Sequence, residues 1–338
     1  MEVLETTAVR LAGAAGECYS QRRNIMTTPT GRITILTPSR NERENVRALY
    51  EQIRGVTTQL PDLSFEHLFI DNASTDGTQD ELRKLASENP SVKIILNQRN
   101  FGHVRSPYHG LLQAPGDAVI VMAADLQDPP ELIPELVRLW RAGSQVILGQ
   151  KKNSAEPRLF FVIRKRYYRL VKRLADVDLL ENVTGFGLYD RKVIEAFRAL
   201  DDPYPYVRGL ISELGFPVAL VPYEQPHRAR GRSKNNFYTL YDVAMLGITS
   251  HSKVPLRLAT MLGFAAAAVS FVVGLVYLVY KLMFWQRFAL GVAPVVIGLF
   301  FFASVQLFFV GVIGEYIGAI HTRVTKRPLV VEKERINF

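Results

Sequence analysis

Two stretches near the C-terminus restrict this chain more than any other feature. From Leu258 to Tyr280 no side chain carries a charge, and none does from Phe288 to Gly314. Each exceeds the roughly 20 apolar residues that a helix needs to cross about 30 Å of hydrocarbon. They read as two transmembrane helices forming a hairpin. Its short connection carries only Lys281 and Arg287, whereas Lys253 and Arg257 precede the first stretch, and Arg323, Lys326, Arg327, Lys333 and Arg335 follow the second. That excess of cations outside the pair predicts that both termini are cytoplasmic.

The rest of the 338 residues is long enough for one domain with a sizeable core. A net charge of +9 points to anionic partners: nucleic acid, a membrane surface or phosphorylated substrates. The single cysteine, Cys18, excludes a disulfide framework and a cysteine metal site. The first 30 residues show no apolar segment of signal-peptide length and read as a mobile tail. From Arg32 onward, short apolar runs alternate with helical patterns, as in a parallel α/β sheet. Ile33–Leu36, Phe65–Ile70, Val92–Leu96, Ala118–Met122 and Gln145–Leu148 are the expected strands, with helices over Glu42–Gln59 and Thr78–Glu88. This is a Rossmann-like core without Gly-x-Gly-x-x-Gly after its first strand, which argues against a nicotinamide or flavin dehydrogenase.

The chemistry-bearing residues follow those strands. After the first comes Thr37-Pro38-Ser39-Arg40-Asn41-Glu42, and after the second Asp71-Asn72-Ala73-Ser74-Thr75-Asp76-Gly77. Such segments also make ordinary Asx turns and helix caps. After the fourth strand stands Ala123-Ala124-Asp125-Leu126-Gln127-Asp128-Pro129-Pro130. Oxygens at the carboxyl ends of central strands lie where open α/β sheets bind ligands. Asp125 and Gln127 are hard donors suited to Mg²⁺ or Mn²⁺ bridging to a substrate diphosphate.

With these three strand ends taken together, the chain resembles glycosyltransferase family 2, and within it the polyprenyl-phosphate glycosyltransferases of the GtrB and dolichol-phosphate mannose synthase type. The resemblance runs from Arg32 to the C-terminal tail. It implies a GT-A fold: an α/β cytoplasmic domain over 31–235, a juxtamembrane interfacial helix over 236–253, two transmembrane helices within 254–322 and a cytoplasmic tail over 323–338. It places the nucleotide-sugar on Pro38, Glu42 and Asp71, with Asp71 accepting from a base N–H, and on Asn100 and Gly102 of an Asn-x-Gly turn. The family's Asp-x-Asp-x-Gln metal motif reads Ala123-x-Asp125-x-Gln127 here, so the first carboxylate is missing. Asp128 or water then remains to complete the ion's shell.

On the acceptor side, Pro226-His227-Arg228-Ala229-Arg230-Gly231-Arg232-Ser233-Lys234 resembles the family's Arg-x-x-Gly-x-Ser-Lys loop. Arginine clasps phosphate oxygens bidentately and lysine adds a point charge, so Arg228, Arg230, Ser233 and Lys234 are assigned to phosphate. Arg228 and Lys234 join Asp125 as catalytic candidates. Residues 158–173 alternate cations with Leu, Phe, Ile, Tyr and Val at near-helical spacing, the pattern of a helix in a membrane interface. Arg164 and Arg169 on it are candidates to reach the lipid phosphate. Thr184 to Arg191 resembles the family's Gly-Phe-x-Leu strand below the acceptor, though a core edge strand leading into a helix explains it equally.

The implied reaction is inverting transfer of a hexose, glucose from a UDP-sugar, to undecaprenyl phosphate, by a metal-dependent enzyme in the cell (inner) membrane. A tetramer is implied by resemblance, and nucleic acid is not an expected partner. Two rival readings are a processive synthase, which would carry Gln-x-x-Arg-Trp and more membrane helices, and a non-catalytic protein that binds nucleotide-sugar or lipid. A GDP-mannose enzyme of the same family is a third.

Overall fold

The structure, a computed structural model, describes residues 31–152, 183–226, 254–284, 292–325 and 327–338. Contacts divide the chain into Met1–Gly31 and Arg32–Phe338, and the elements below belong to the second unit. Several expectations lie outside the described residues: the tail over 1–30, the helix over 158–173 with Arg164 and Arg169, the basic loop with Arg228, Arg230, Ser233 and Lys234, and the juxtamembrane helix over 236–253.

The expected apolar runs become strands of one sheet: β1 (Arg32–Ser39), β2 (Ser64–Asp71), β3 (Val92–Asn97), β4 (Ala118–Val121) and β5 (Val146–Lys151). β6 (Val183–Asp190), β7 (Val218–Tyr223) and β8 (Glu332–Ile336) complete it in the order β7-β5-β6-β4-β1-β2-β3-β8. β1, β2, β3 and β4 run parallel because helices return the chain between them: α1 (Arg43–Thr57), α2 (Thr78–Glu88) and α3 (Gly102–Gln113). α4 (Ile133–Arg141), α5 (Arg191–Leu200) and α6 (Val207–Glu213) follow. Alternation along β1 sorts the core onto two faces. Ile33 and Ile35 pack with Leu49 and Ile53 of α1, whereas Leu36 packs with Tyr108 and Leu111 of α3.

Two arrangements depart from a purely parallel sheet. β6, with its Gly-Phe-Gly-Leu sequence, lies inside the sheet, antiparallel to both β4 and β5, and not at an edge. Residues 323–338, read from sequence only as a tail, supply β8, antiparallel to β3. Glu334 pairs with Arg83 of α2 at 2.8 Å, and Glu332 with His109 of α3 at 2.5 Å. The Asn337 side chain donates to the Ala86 and Val92 carbonyls at 2.9 and 2.8 Å. The chain thus returns from its apolar helices to close the edge of the sheet.

Those helices are α7 (Val254–Met283) and α8 (Val292–Val324). Val254–Val276 and Phe301–Thr322 have mean hydropathies of 2.1 and 1.6, and neither segment is buried against the rest of the chain. At 30 residues, α7 spans roughly 45 Å, more than a bilayer's hydrocarbon.

One buried group gives the sheet a pH dependence. His67 stacks on Phe69 with ring centres 3.9 Å apart, its Nε2 meets the Thr37 hydroxyl at 2.8 Å, and its Nδ1 has no partner. Burial lowers the imidazole from 6.5 to about 3. Below 6.5 the unfolded chain takes up a proton that the folded one refuses, so stability is full above that pH and falls toward 3. In His67→Phe this dependence disappears. The stability difference between wild type and variant should therefore shift by about 2 kcal/mol between about pH 8 and pH 5 in chemical denaturation. A difference that does not change with pH would contradict a neutral buried imidazole.

Candidate active site

The carboxyl ends of β1, β2, β3 and β4 open on one side, and the turns that follow them are tied together. Parallel pairing sets Ser39 beside Asp71 and Pro38 beside Ile70. The turn after β1 meets the turn after β2 through four bonds: Asn41 N–H to the Ser74 hydroxyl (2.8 Å), Thr75 N–H to Asn41 Oδ1 (2.9 Å), Glu42 N–H to Thr78 Oγ1 (3.0 Å) and Arg43 N–H to Asp76 Oδ2 (3.3 Å). Burial works to raise the Asp76 carboxyl, but the Thr78 hydroxyl, the Thr78 amide and the Arg43 amide hold it below the ordinary range. Glu42 accepts from the Asn45 amide at 2.6 Å. Asp71 is fully buried at the strand end, where Oδ1 accepts from Ser74 N–H (3.0 Å) and the Gln79 amide (2.8 Å), and the Ser74 hydroxyl donates to Oδ2. These bonds fix the orientation of Asp71.

Asn72 joins this pair of turns to the third. Its Nδ2 donates to Asn100 Oδ1 (2.8 Å) and to the Gly102 carbonyl (3.0 Å), and its Oδ1 accepts from Phe101 N–H (2.8 Å). Gly102 has φ +88, a backbone that L side chains rarely adopt, and its N–H returns to Asn100 Oδ1 at 2.9 Å. The candidates Asn100 and Gly102 thus belong to a part-buried polar network centred on Asn72, the residue that follows Asp71 in the chain. Sequence reasoning gave Asn72 and Gln79 no role. For Asn72 the signal was its place directly after a predicted buried strand, where a side-chain amide can reach the next turn.

After β4, Met122 N–H still bonds the Leu36 carbonyl at 2.9 Å, and then the chain turns sharply, with Leu126 at φ +59. Asp125 Oδ1 accepts from Gln127 N–H (3.3 Å), and the Gln127 amide donates to the Pro226 carbonyl (3.3 Å). Gln127 therefore lies at the start of the predicted basic loop. Asp128 faces inward: Oδ2 accepts from Ala123 N–H (2.9 Å) and Oδ1 from the Tyr223 hydroxyl (3.4 Å). Burial first, and then the charge of Asp125, raise Asp128 to about 6. Asp128 is thus committed to holding the turn, and the reading of it as a further metal donor loses its basis. Ala123 is exposed and offers no oxygen from its side chain.

This donor set fits a divalent ion of a particular kind. Among the described residues no group of three His, Cys, Asp or Glu could hold a metal. Asp125 with Gln127 could hold an ion that keeps several waters and shares a substrate's phosphates, which is how Mg²⁺ is usually bound.

Residues 34–198 match the family model described as Glycosyl transferase family 2, and residues 254–320 match the GtrB C-terminal hairpin. The bactoprenol glucosyl transferase of Shigella phage SfII is 34% identical over 304 residues, which cover 90% of this chain and 98% of that one. The chain belongs to glycosyltransferase family 2, in its GtrB type. Another relative, the prophage bactoprenol glucosyl transferase homolog of Escherichia coli K12, is 31% identical over 303 residues, covering 89% of this chain and 98% of its own. Among solved structures, glucosyl-3-phosphoglycerate synthase of Mycobacterium tuberculosis, in complex with Mn²⁺, uridine diphosphate and phosphoglyceric acid, aligns over 65% of this chain and 76% of its own, at 17% identity and a TM-score of 0.45. As a GtrB-type family 2 glycosyltransferase the chain is an enzyme with a GT-A fold, associated with a membrane through its apolar hairpin.

Proposed function

We propose that this GtrB-type enzyme transfers glucose from UDP-glucose to a polyprenyl phosphate of undecaprenyl type, with inversion, on the cytoplasmic leaflet. The observation that carries this reading is the match across nearly the whole chain, hairpin included, to bactoprenol glucosyl transferases. In this reading α7 and α8 cross the membrane, both termini are cytoplasmic, and the enzyme is a homo-oligomer, a tetramer. Asp71 accepts the uracil N–H, oriented by Ser74 and Gln79, while Pro38, Glu42, Asn100 and Gly102 line the donor. Asp125 and Gln127 are the residues that would hold Mg²⁺ or Mn²⁺ beside the donor. When bound, that ion neutralises charge building on the leaving group.

The remaining chemistry belongs to the chain. Arg228, Arg230, Ser233 and Lys234, with Arg164 and Arg169, grip the lipid phosphate and aim one of its oxygens at the anomeric carbon. A phosphate monoester is already ionised near neutral pH, so no strong general base is required. Rate comes from positioning and from fixed charge.

The test is transfer of labelled sugar from a panel of UDP- and GDP-sugars to undecaprenyl phosphate by the purified full chain, with Mn²⁺ and with EDTA. Lipid-linked product from UDP-glucose alone, lost with EDTA, is the expected result. Transfer from GDP-mannose instead would replace the donor. If no sugar is transferred while UDP still binds, the chain is a nucleotide-binding protein and the proposal falls.

A further inference from the structure

Three arginines cluster where α8 hands the chain back to the sheet: Arg99 and Arg105 share the Phe101 ring, and Arg105 bonds the residue after Arg327. Arg327 and Pro328 follow the end of α8 at Val324. Arg105, in the first turn of α3, donates to the Pro328 carbonyl, and Gln98 N–H donates to the Val331 carbonyl at 2.9 Å. The segment leaving the apolar helix therefore lies against the turn that contains Asn100 and Gly102. Arg99 and Arg105 both face the Phe101 ring, with their guanidinium carbons 4.3 and 5.6 Å from its centre. Arg105 Nε is buried without a hydrogen-bond partner.

Neighbouring arginines are neutralised. Arg83 meets Glu334, Arg335 meets Glu332, and Arg47 meets Glu81 and Glu88. Among the described residues no carboxylate forms an ion pair with Arg99, Arg105 or Arg327. Burial lowers the Arg105 guanidinium, and the charges of Arg99 and Arg327 lower it further. Three like charges are thus grouped with no carboxylate paired to them among the described residues.

Position identifies what balances them. The apolar span of α8 ends at Thr322 and Arg327 follows five positions later (327 − 322), so at most ~17 Å of chain separates the cation from the edge of the hydrocarbon. The headgroup layer, roughly 5–8 Å deep on each side of the hydrocarbon, lies within that reach. We infer that Arg99, Arg105 and Arg327 form a docking surface for anionic phospholipid headgroups, which holds the Asn100–Gly102 turn against the bilayer. Guanidinium groups take phosphate oxygens bidentately, and the Phe101 face keeps Arg99 and Arg105 side by side. The inference rests on the reading that the hairpin crosses the membrane with Arg327 on the cytoplasmic side. It is separate from the acceptor phosphate, which the proposed function assigns to the basic loop.

The experiment compares backbone amide exchange over 99–105 and 327–331 in the full chain. The protein is placed in nanodiscs of phosphatidylcholine alone and of phosphatidylcholine mixed with phosphatidylglycerol, both free of polyprenyl phosphate. Exchange in both segments should slow in the mixed discs, by about fivefold for each cation engaged. The double variant Arg99→Gln, Arg327→Gln should lose most of that protection. Arg99→Lys with Arg327→Lys should keep it, while exchange in β1 reports that each variant is folded. Equal exchange in the two discs, or full protection in the glutamine variant, overturns the inference. So does inorganic phosphate producing the same protection in phosphatidylcholine discs, because the surface would then be a site for soluble anions. Sugar transfer measured afterwards in the same discs, supplied with undecaprenyl phosphate and UDP-glucose, keeps the two questions apart: protection without transfer retains the lipid surface and sinks the proposed reaction.

Discussion

Replacing Asp125 with alanine should lower transfer by on the order of 10³-fold, the cost of removing one preorganised charge from a developing leaving group. Among the described residues the geometry leaves no substitute nearby. Asp128 is turned inward onto Ala123 N–H and the Tyr223 hydroxyl, and the Gln127 amide is tied to the Pro226 carbonyl. Position 123, where the family pattern has a carboxylate, is an exposed alanine. The opposite change is equally informative. Ala123→Asp should tighten Mn²⁺ binding in the presence of UDP on the order of tenfold, the effect of ~1.4 kcal/mol from a second charged oxygen. Titration of Mn²⁺ followed by its own paramagnetic signal measures this without turnover. An Asp125→Ala enzyme that keeps wild-type transfer would remove Asp125 from the site, and an Ala123→Asp enzyme with unchanged Mn²⁺ affinity would place the ion elsewhere.

Gly187→Ala should be the most destabilising conservative change in β6. A Cβ at this position would lie 2.2 Å from the Ile147 carbonyl oxygen and 3.0 Å from Leu148 Cα, both backbone atoms of the neighbouring strand. Backbone cannot rotate away as a side chain can, so β5 and β6 must separate around the Leu148–Gly187 register. Overpacking of this kind costs about 1–3 kcal/mol, and each ladder hydrogen bond lost adds about 1. About 4 kcal/mol in total is a large part of the roughly 5–15 that holds a domain folded. Gly185→Ala is the control. It lies two residues away in the same strand, with nothing within 4 Å of its Cβ, and should change stability by less than about 0.5 kcal/mol. Thermal unfolding of the two variants side by side decides it: similar melting temperatures would mean that β5 and β6 do not pack as closely as described.

The central strands were legible because burial on both faces writes itself locally. Ala118-Val119-Ile120-Val121 is a continuous apolar run and Val92 to Leu96 is broken only by Lys93, as expected of parallel strands covered by helices on both sides. The turns after β1, β2 and β3 were legible as a set because each follows such a run with residues that favour turns. β8 could not be found that way. Its sequence, Glu-Lys-Glu-Arg-Ile, has neither an apolar run nor clean alternation, and its burial runs from half-buried to exposed. It is a strand because β3 offers an open edge and because Arg83, His109 and Asn337 supply long-range partners. The antiparallel insertion of β6 between β4 and β5 was hidden for the same reason, since strand order is set by contacts and not by composition.

Sequence by itself determined the pieces whose cause is local: two charge-free helices, the parallel strands with their turns, and the residue types able to hold a nucleotide, a metal ion and a phosphate. Only the tertiary structure decided which of those residues act together. It turned Asp128 inward onto Ala123 N–H and the Tyr223 hydroxyl, made Asn72 the link between two turns, set Gln127 beside Pro226, and brought the segment after Arg327 against Arg105 from 222 residues away (327 − 105). Such juxtapositions depend on how the sheet is ordered and where the chain returns from its apolar helices. No spacing along the sequence encodes that.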